Sequence, residues 1–80
     1  MTINLVAYGI AKDILGKHQV EVQVEDLNSL GELKDWLCQQ YPDFKKLRRL
    51  SLAVNETYQE DGFVLTTNDE VVIIPPVSGG

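Results

Sequence analysis

Residues 68–80 read Asn68-Asp69-Glu70-Val71-Val72-Ile73-Ile74-Pro75-Pro76-Val77-Ser78-Gly79-Gly80. The run from Val71 to Ile74 is wholly β-branched, which favours a strand, and apolar residues at successive positions imply cover on both faces, as in the centre of a sheet. Asn68-Asp69 supplies a turn into that strand. Pro75 and Pro76 have no N–H to give a ladder, so the strand ends at Ile74 and the backbone beyond it is held extended. The other end of the chain has the same character: Ile3-Asn4-Leu5-Val6-Ala7-Tyr8 is apolar at nearly every position and reads as a second central strand.

Outward from these two strands the pattern changes. Gln19 to Glu25 alternates strictly, with Val20, Val22 and Val24 on one face, and predicts a half-buried strand paired with the first. Ile10 to His18 predicts a turn or two of helix stopped at Gly16. Ser29-Leu30-Gly31-Glu32 is a helix-start signature in which the Ser and Glu side chains satisfy free N–H groups. Leu30, Leu33, Trp36 or Leu37, and Tyr41 follow at helical spacing, and Pro42 ends the helix near Gln40. Asp43 is expected to cap a short second helix through Phe44-Lys45-Lys46-Leu47-Arg48-Arg49. Leu50 to Val54 reads as a brief strand ending at an Asn55-Glu56 turn. Thr57 to Thr67 gives a weak pattern, with a turn at Asp61-Gly62 and a short apolar segment at Phe63 to Leu65.

Strand, strand, helix, strand, strand, with the most apolar strands at the two ends, predicts an α+β fold of the ubiquitin-like β-grasp type. Its mixed sheet would pack the parallel first and last strands under one main helix. The expected division is a domain over 1–74 and a flexible, extended Gly-Gly tail over 75–80.

Composition narrows the function. Eighty residues make one small domain with a modest core, which disfavours an enzyme acting alone. Twelve acidic residues against seven basic ones, a net charge of -5, disfavour nucleic acid and anionic membranes as partners. Cys38 and His18 are the only thiol and imidazole, too few for a zinc site, and no metal is expected. Met1 to Val6 has no signal-peptide character, and the longest apolar stretch, Val71 to Val77, is too short to span a bilayer. A cytoplasmic, reducing location is the expectation.

The tail carries the chemistry. Six residues from Pro75 to Gly80 reach roughly 20 Å when extended. Gly79 and Gly80, without side chains, can thread a narrow channel and deliver the terminal carboxylate of Gly80 to a buried site on a partner. That carboxylate is ionised at neutral pH and a poor electrophile until a partner adenylates it with ATP. The acyl-adenylate can then accept sulfur, giving a thiocarboxylate, or an amine, giving an isopeptide conjugate.

The stretch from Asn68 to Gly80 closely resembles the C-terminus of the MoaD-type sulfur carriers, the small subunits of molybdopterin synthase within the ubiquitin-like, ThiS-like superfamily. Their usual form is Gly-Asp-Glu-Val, an apolar run, then Pro-Pro-Val-Ser/Thr-Gly-Gly. Tyr8 to Gly16 is similar to the family's aromatic, small, Arg-Glu and Gly segment, and Ala53-Val54-Asn55 to its middle strand and turn. Lys12-Asp13 replaces Arg-Glu, losing the bidentate guanidinium, and Asn68 replaces a Gly at a turn that Asn also tolerates. The resemblance implies that Gly80 is adenylated by a MoeB-type, ubiquitin-activating-like adenylyltransferase and converted to a thiocarboxylate. The tail Pro75, Pro76, Val77, Ser78 and Gly79 would then insert into a MoaE-type large subunit. There Gly80 would give sulfur to cyclic pyranopterin monophosphate to build the molybdopterin dithiolene. It further implies a heterotetramer with the catalytic side chains on the large subunit, no cofactor bound by this chain, and ATP used by the activating partner.

Two other readings follow from the same tail and fold: a sulfur carrier of another pathway or a protein modifier conjugated through Gly80, and a non-covalent β-grasp adaptor. Cys38, among Trp36, Leu37 and Tyr41, reads as a buried structural thiol, and His18 as a solvated loop residue. Lys45, Lys46, Arg48 and Arg49 read as a solvated basic face. Val6, Val72 and Ile74 face away from Leu5 and Ile73, and this surplus apolar surface beside the tail is the candidate partner interface.

Overall fold

The structure, a computed structural model, describes residues 1–47 and 50–74. Five strands form its sheet: β1 (Thr2–Ala7), β2 (Gln19–Gln23), β3 (Ser51–Val54), β4 (Thr57–Tyr58) and β5 (Glu70–Ile74). Their spatial order is β2-β1-β5-β3-β4. The two strands of greatest apolar content, β1 and β5, are central and parallel, with Leu5 opposite Val71 and Val6 opposite Val72. β2 pairs antiparallel with β1, and β3 pairs antiparallel with both β5 and β4. This is the β-grasp expected from the order of elements.

Helix α1 (Gly9–Leu15) closes at Gly16, whose φ of 85° lies in the left-handed region and whose N–H donates to Lys12 O at 2.8 Å. Helix α2 (Leu30–Gln40) crosses one face of the sheet. Ser29 Oγ accepts the Glu32 N–H at 3.3 Å, and Glu32 Oε1 accepts the N–H of Asn28 at 3.3 Å, so the helix start is closed from both sides. Two further free donors of the first turn go to the loop that precedes β5: Leu30 N–H to Phe63 O at 2.9 Å and Gly31 N–H to Asp61 O at 2.8 Å. Leu30, Leu33 and Leu37 then bury against Ile3, Leu5, Ala7, Leu52, Val54, Val71 and Ile73.

Two local expectations are corrected. Asp43 caps nothing: the short element is a 3₁₀ turn over Pro42–Lys46 that begins at Pro42. A fixed φ and a missing N–H suit proline to the first helical position, so the start moves one residue earlier and places Asp43 inside the turn. Its carboxylate pairs instead with Lys46 Nζ at 3.2 Å. Arg48 and Arg49, the expected end of that helix, lie outside the described residues. The second correction is β4, where the sequence predicts no strand; a two-residue strand is too short to carry an alternating pattern.

A polar knot fixes where β5 begins. Asp69 is only 8% exposed, and its carboxylate accepts Thr66 N–H at 2.8 Å, Asn55 Nδ2 at 3.0 Å and Thr66 Oγ1 at 3.1 Å. Asn55 returns the contact by accepting the Glu70 N–H at 3.1 Å and donating its own N–H to Glu70 O at 2.9 Å. Asn68, at φ 70°, donates to Thr2 O at 2.7 Å. One turn thereby ties the starts of β1 and β5 to the β3–β4 hairpin. Burial, the largest single influence on the Asp69 carboxyl, raises its pKa, but the bonds from the Thr66 N–H, Asn55 and the Thr66 hydroxyl together hold it below its ordinary value.

A carboxyl with a depressed folded-state pKa lends stability that is present above its unfolded value and lost as pH falls through the folded one. Melting temperature should therefore decline below roughly pH 4, and Asp69→Asn should lower stability at neutral pH by about 1–3 kcal/mol while flattening that acid dependence. An equally steep decline in the variant would count against the knot. The hairpin turn yields an independent prediction. Asn55 and Glu56 both have positive φ, 48° and 73°, as a two-residue primed turn requires. Glu56→Gly removes the Cβ penalty and should raise stability by about 0.5–1 kcal/mol in denaturant titration.

Candidate functional site

Parallel pairing brings the C-terminal ends of β1 and β5 to one end of the sheet, and residues 75–80 follow Ile74 from that end. Across the face opposite α2 the register aligns Gln19, Val6, Val72, Ala53 and Tyr58 in one row. None of these residues belongs to the core cluster, which draws on the Leu5 and Ile73 side together with Ala11, Leu15 and the leucines of α2. The row toward the other end, Glu21, Asn4 and Glu70, is polar. One step toward the tail stand Ile74 and Ser51. The face therefore grades from polar to apolar toward the Ile74 end of β5.

Of the residues expected to form the interface, Val72 and Ile74 are half-buried and available, while Val6 is on the same face but only 6% exposed. With so little area exposed, Val6 adds shape more than surface to this face. The structure adds two aromatic residues that the sequence reading did not select. Tyr58, next to Ala53 on β4, is 67% exposed, and Tyr8 is 55% exposed. Tyr8 keeps an extended backbone, φ -128° and ψ 158°, so the two-residue strand period carries its side chain to the face of Val6. A tyrosine at a strand end is common in any sequence; only the register shows that these two flank the apolar row.

Pro75, Pro76, Val77, Ser78, Gly79 and Gly80, and with them the expected tail, lie outside the described residues. Cys38, expected to be buried, is half-buried and packs against the margin of the core. His18 is exposed but tethered, with Nδ1 2.9 Å from Ala7 O. Among the described residues Lys12 and Asp13 form no ion pair, and no group of three or more His, Cys, Asp or Glu is placed to hold a metal. No helix of the described residues is long and apolar enough to cross a membrane. A shallow groove lined by Glu25, Leu27, Glu32, Asp35, Trp36 and Gln39 lies beyond the C-terminal end of β2, at the end of the sheet away from Ile74.

The model of the ThiS family matches residues 7–80. The chain belongs to the ThiS family. It is 32% identical over 80 residues to the molybdopterin synthase sulfur carrier subunit of Mycobacterium tuberculosis, covering 98% of this chain and 96% of the relative. Among solved structures it is similar to the small archaeal modifier protein 1 of Haloferax volcanii, with a TM-score of 0.79, 18% identity, and 95% and 98% of the two chains covered. It is also similar to a chain in the complex of subunits 1 and 2 of the molybdopterin-converting factor of Helicobacter pylori, with a TM-score of 0.68, 22% identity and full coverage of both chains. At these identities the two structures bear on the fold, which they share with this ThiS-family chain.

A face that docks a partner should be disabled by a buried charge at its centre. Val72→Glu is expected to weaken binding to a partner subunit by at least tenfold in calorimetric titration, with the far-ultraviolet spectrum and melting transition retained. Unchanged affinity in a folded variant would remove this face from the interface.

Proposed function

We propose that this chain is the sulfur carrier subunit of a molybdopterin synthase, with the carboxyl of Gly80 as its reactive group. The observation that carries the reading is the Pro75-Pro76-Val77-Ser78-Gly79-Gly80 end of a ThiS-family chain, continuous in sequence with the strand that borders the apolar face. Relatives that carry the sulfur carrier subunit name support it. So does the presence of a similar chain in a two-subunit complex.

The chemistry proceeds through the tail. A Gly80 carboxylate oxygen attacks the α-phosphorus of ATP on a MoeB-type adenylyltransferase, forming the acyl-adenylate and releasing pyrophosphate. Hydrosulfide from the sulfur source attacks the acyl carbon, AMP departs with the electron pair of the broken acyl–oxygen bond, a proton is lost from sulfur, and the end of the chain becomes a thiocarboxylate. Docked on the large subunit, the thiocarboxylate sulfur bonds to an electrophilic side-chain carbon of cyclic pyranopterin monophosphate as an oxygen substituent of that carbon leaves with its electron pair. Water then cleaves the acyl–sulfur bond, restoring the Gly80 carboxylate and leaving the sulfur on the pterin. One tail carries one sulfur and a dithiolene holds two, which accords with a heterotetramer presenting two carriers. The described domain has no catalytic role in this scheme: it supplies the docking face and the strand to which the tail is joined at Ile74. ATP belongs to the activating partner, the whole sequence takes place in the cytoplasm, and neither nucleic acid nor membrane takes part.

Intact mass is the decisive measurement. Incubation with a MoeB-type enzyme, ATP and a sulfur source should shift this chain by the replacement of one oxygen with sulfur, and a chain lacking Gly80 should not shift. Covalent adducts to lysines of other proteins, without the sulfur shift, would favour a modifier. No change of mass, with an enzyme active on another carrier, would overturn the carrier reading.

A further inference from the structure

The β1–β2 ladder continues one pair past Val6 and Gln19, since the Ala7 N–H donates to the His18 carbonyl at 2.8 Å. The imidazole of His18 comes back to the same residue, with Nδ1 2.9 Å from Ala7 O. A carbonyl oxygen can only accept, so Nδ1 carries the proton and the ring is held at both its backbone and its edge. Against this ring stands Tyr8. The two centroids are 4.7 Å apart and the planes meet at 66°, the edge-to-face arrangement that aromatic quadrupoles favour.

An exposed aromatic residue at a strand end ordinarily samples several χ1 wells and loses that freedom when a partner covers it. Here Gly9, at φ 56°, turns the chain into α1 immediately after Tyr8, so no following strand residue holds the phenol in place. The imidazole is the aromatic group in contact with it. We infer that His18 is a positioning residue that presets the Tyr8 ring for docking on the partner subunit. The inference rests on the reading of the face bearing Val72 and Ile74 as the docking surface, and it adds to that surface a residue that precedes β2 and makes no part of the apolar row.

The test has one arm in the free protein and one in the complex. By nuclear magnetic resonance, Tyr8 in the wild-type chain should show a single χ1 rotamer with contacts from its ring to His18, and His18→Ala should average that rotamer. With the MoaE-type large subunit, His18→Ala should weaken affinity about two- to tenfold when Tyr8 is present and leave the affinity of the Tyr8→Ala chain unchanged. His18→Phe, which keeps a ring, should recover more affinity than His18→Asn, which keeps a donor for Ala7 O. An averaged Tyr8 rotamer in the wild type, an equal loss in both backgrounds, or better recovery by Asn than by Phe would overturn the assignment. If the wild-type chain fails to bind the large subunit, the carrier reading falls, and the rotamer comparison still decides whether His18 orders Tyr8.

Discussion

β1 and β5 run parallel, and two parallel neighbours cannot be joined by a tight turn. Everything between Ala7 and Glu70 is therefore a crossover, and its parts are arranged by what that crossover has to cover. β2 folds back on the outer side of β1, α2 crosses the face that holds Ile3, Leu5, Val71 and Ile73, and β3 returns to pair with the free side of β5. Both strands of highest apolar content are thereby paired on two sides. Since the helices bury their apolar residues on one side of the sheet, the alternate residues of the same strands, Val6 and Val72 among them, stay outside that core.

The fold was legible in the sequence because its strongest signals are local. Alternating valines in β2, the Ser29–Glu32 pair at the start of α2, the stop at Gly16 and the β-branched run of β5 each have a mechanism within a few residues. What was not legible depends on distant partners. β4 exists because Ala53 and Val54 offer it a ladder, and Asp69 is buried because Thr66 and Asn55 converge on it from two different turns. The site divides in the same way. The Gly-Gly end is a motif that linear reading finds, and Val72 and Ile74 follow from strand parity. Tyr8 and Tyr58 are fifty residues apart in sequence and meet the apolar row only through the register of five strands.

Charge completes the picture of a protein built to be handled by others. With a net charge of -5 the chain carries most of its ionisable groups on exposed side chains. The two ion pairs among the described residues, Lys34–Asp61 and Lys46–Asp43, both lie on the helical side. Exposed pairs of this kind contribute little to stability. The row Gln19, Val6, Val72, Ala53 and Tyr58 holds no Asp, Glu, Lys, Arg or His, so covering it would desolvate no such charge.

β5 is clamped along both edges, by β1 on one side and β3 on the other, and the Asp69 knot anchors the end farthest from residue 75. A pull on the chain beyond Ile74 runs along the strand axis and loads both ladders in shear, so the hydrogen bonds share the force instead of opening one after another. The domain is thus mechanically stiff in the one direction in which a partner that grips the end of the chain would draw on it.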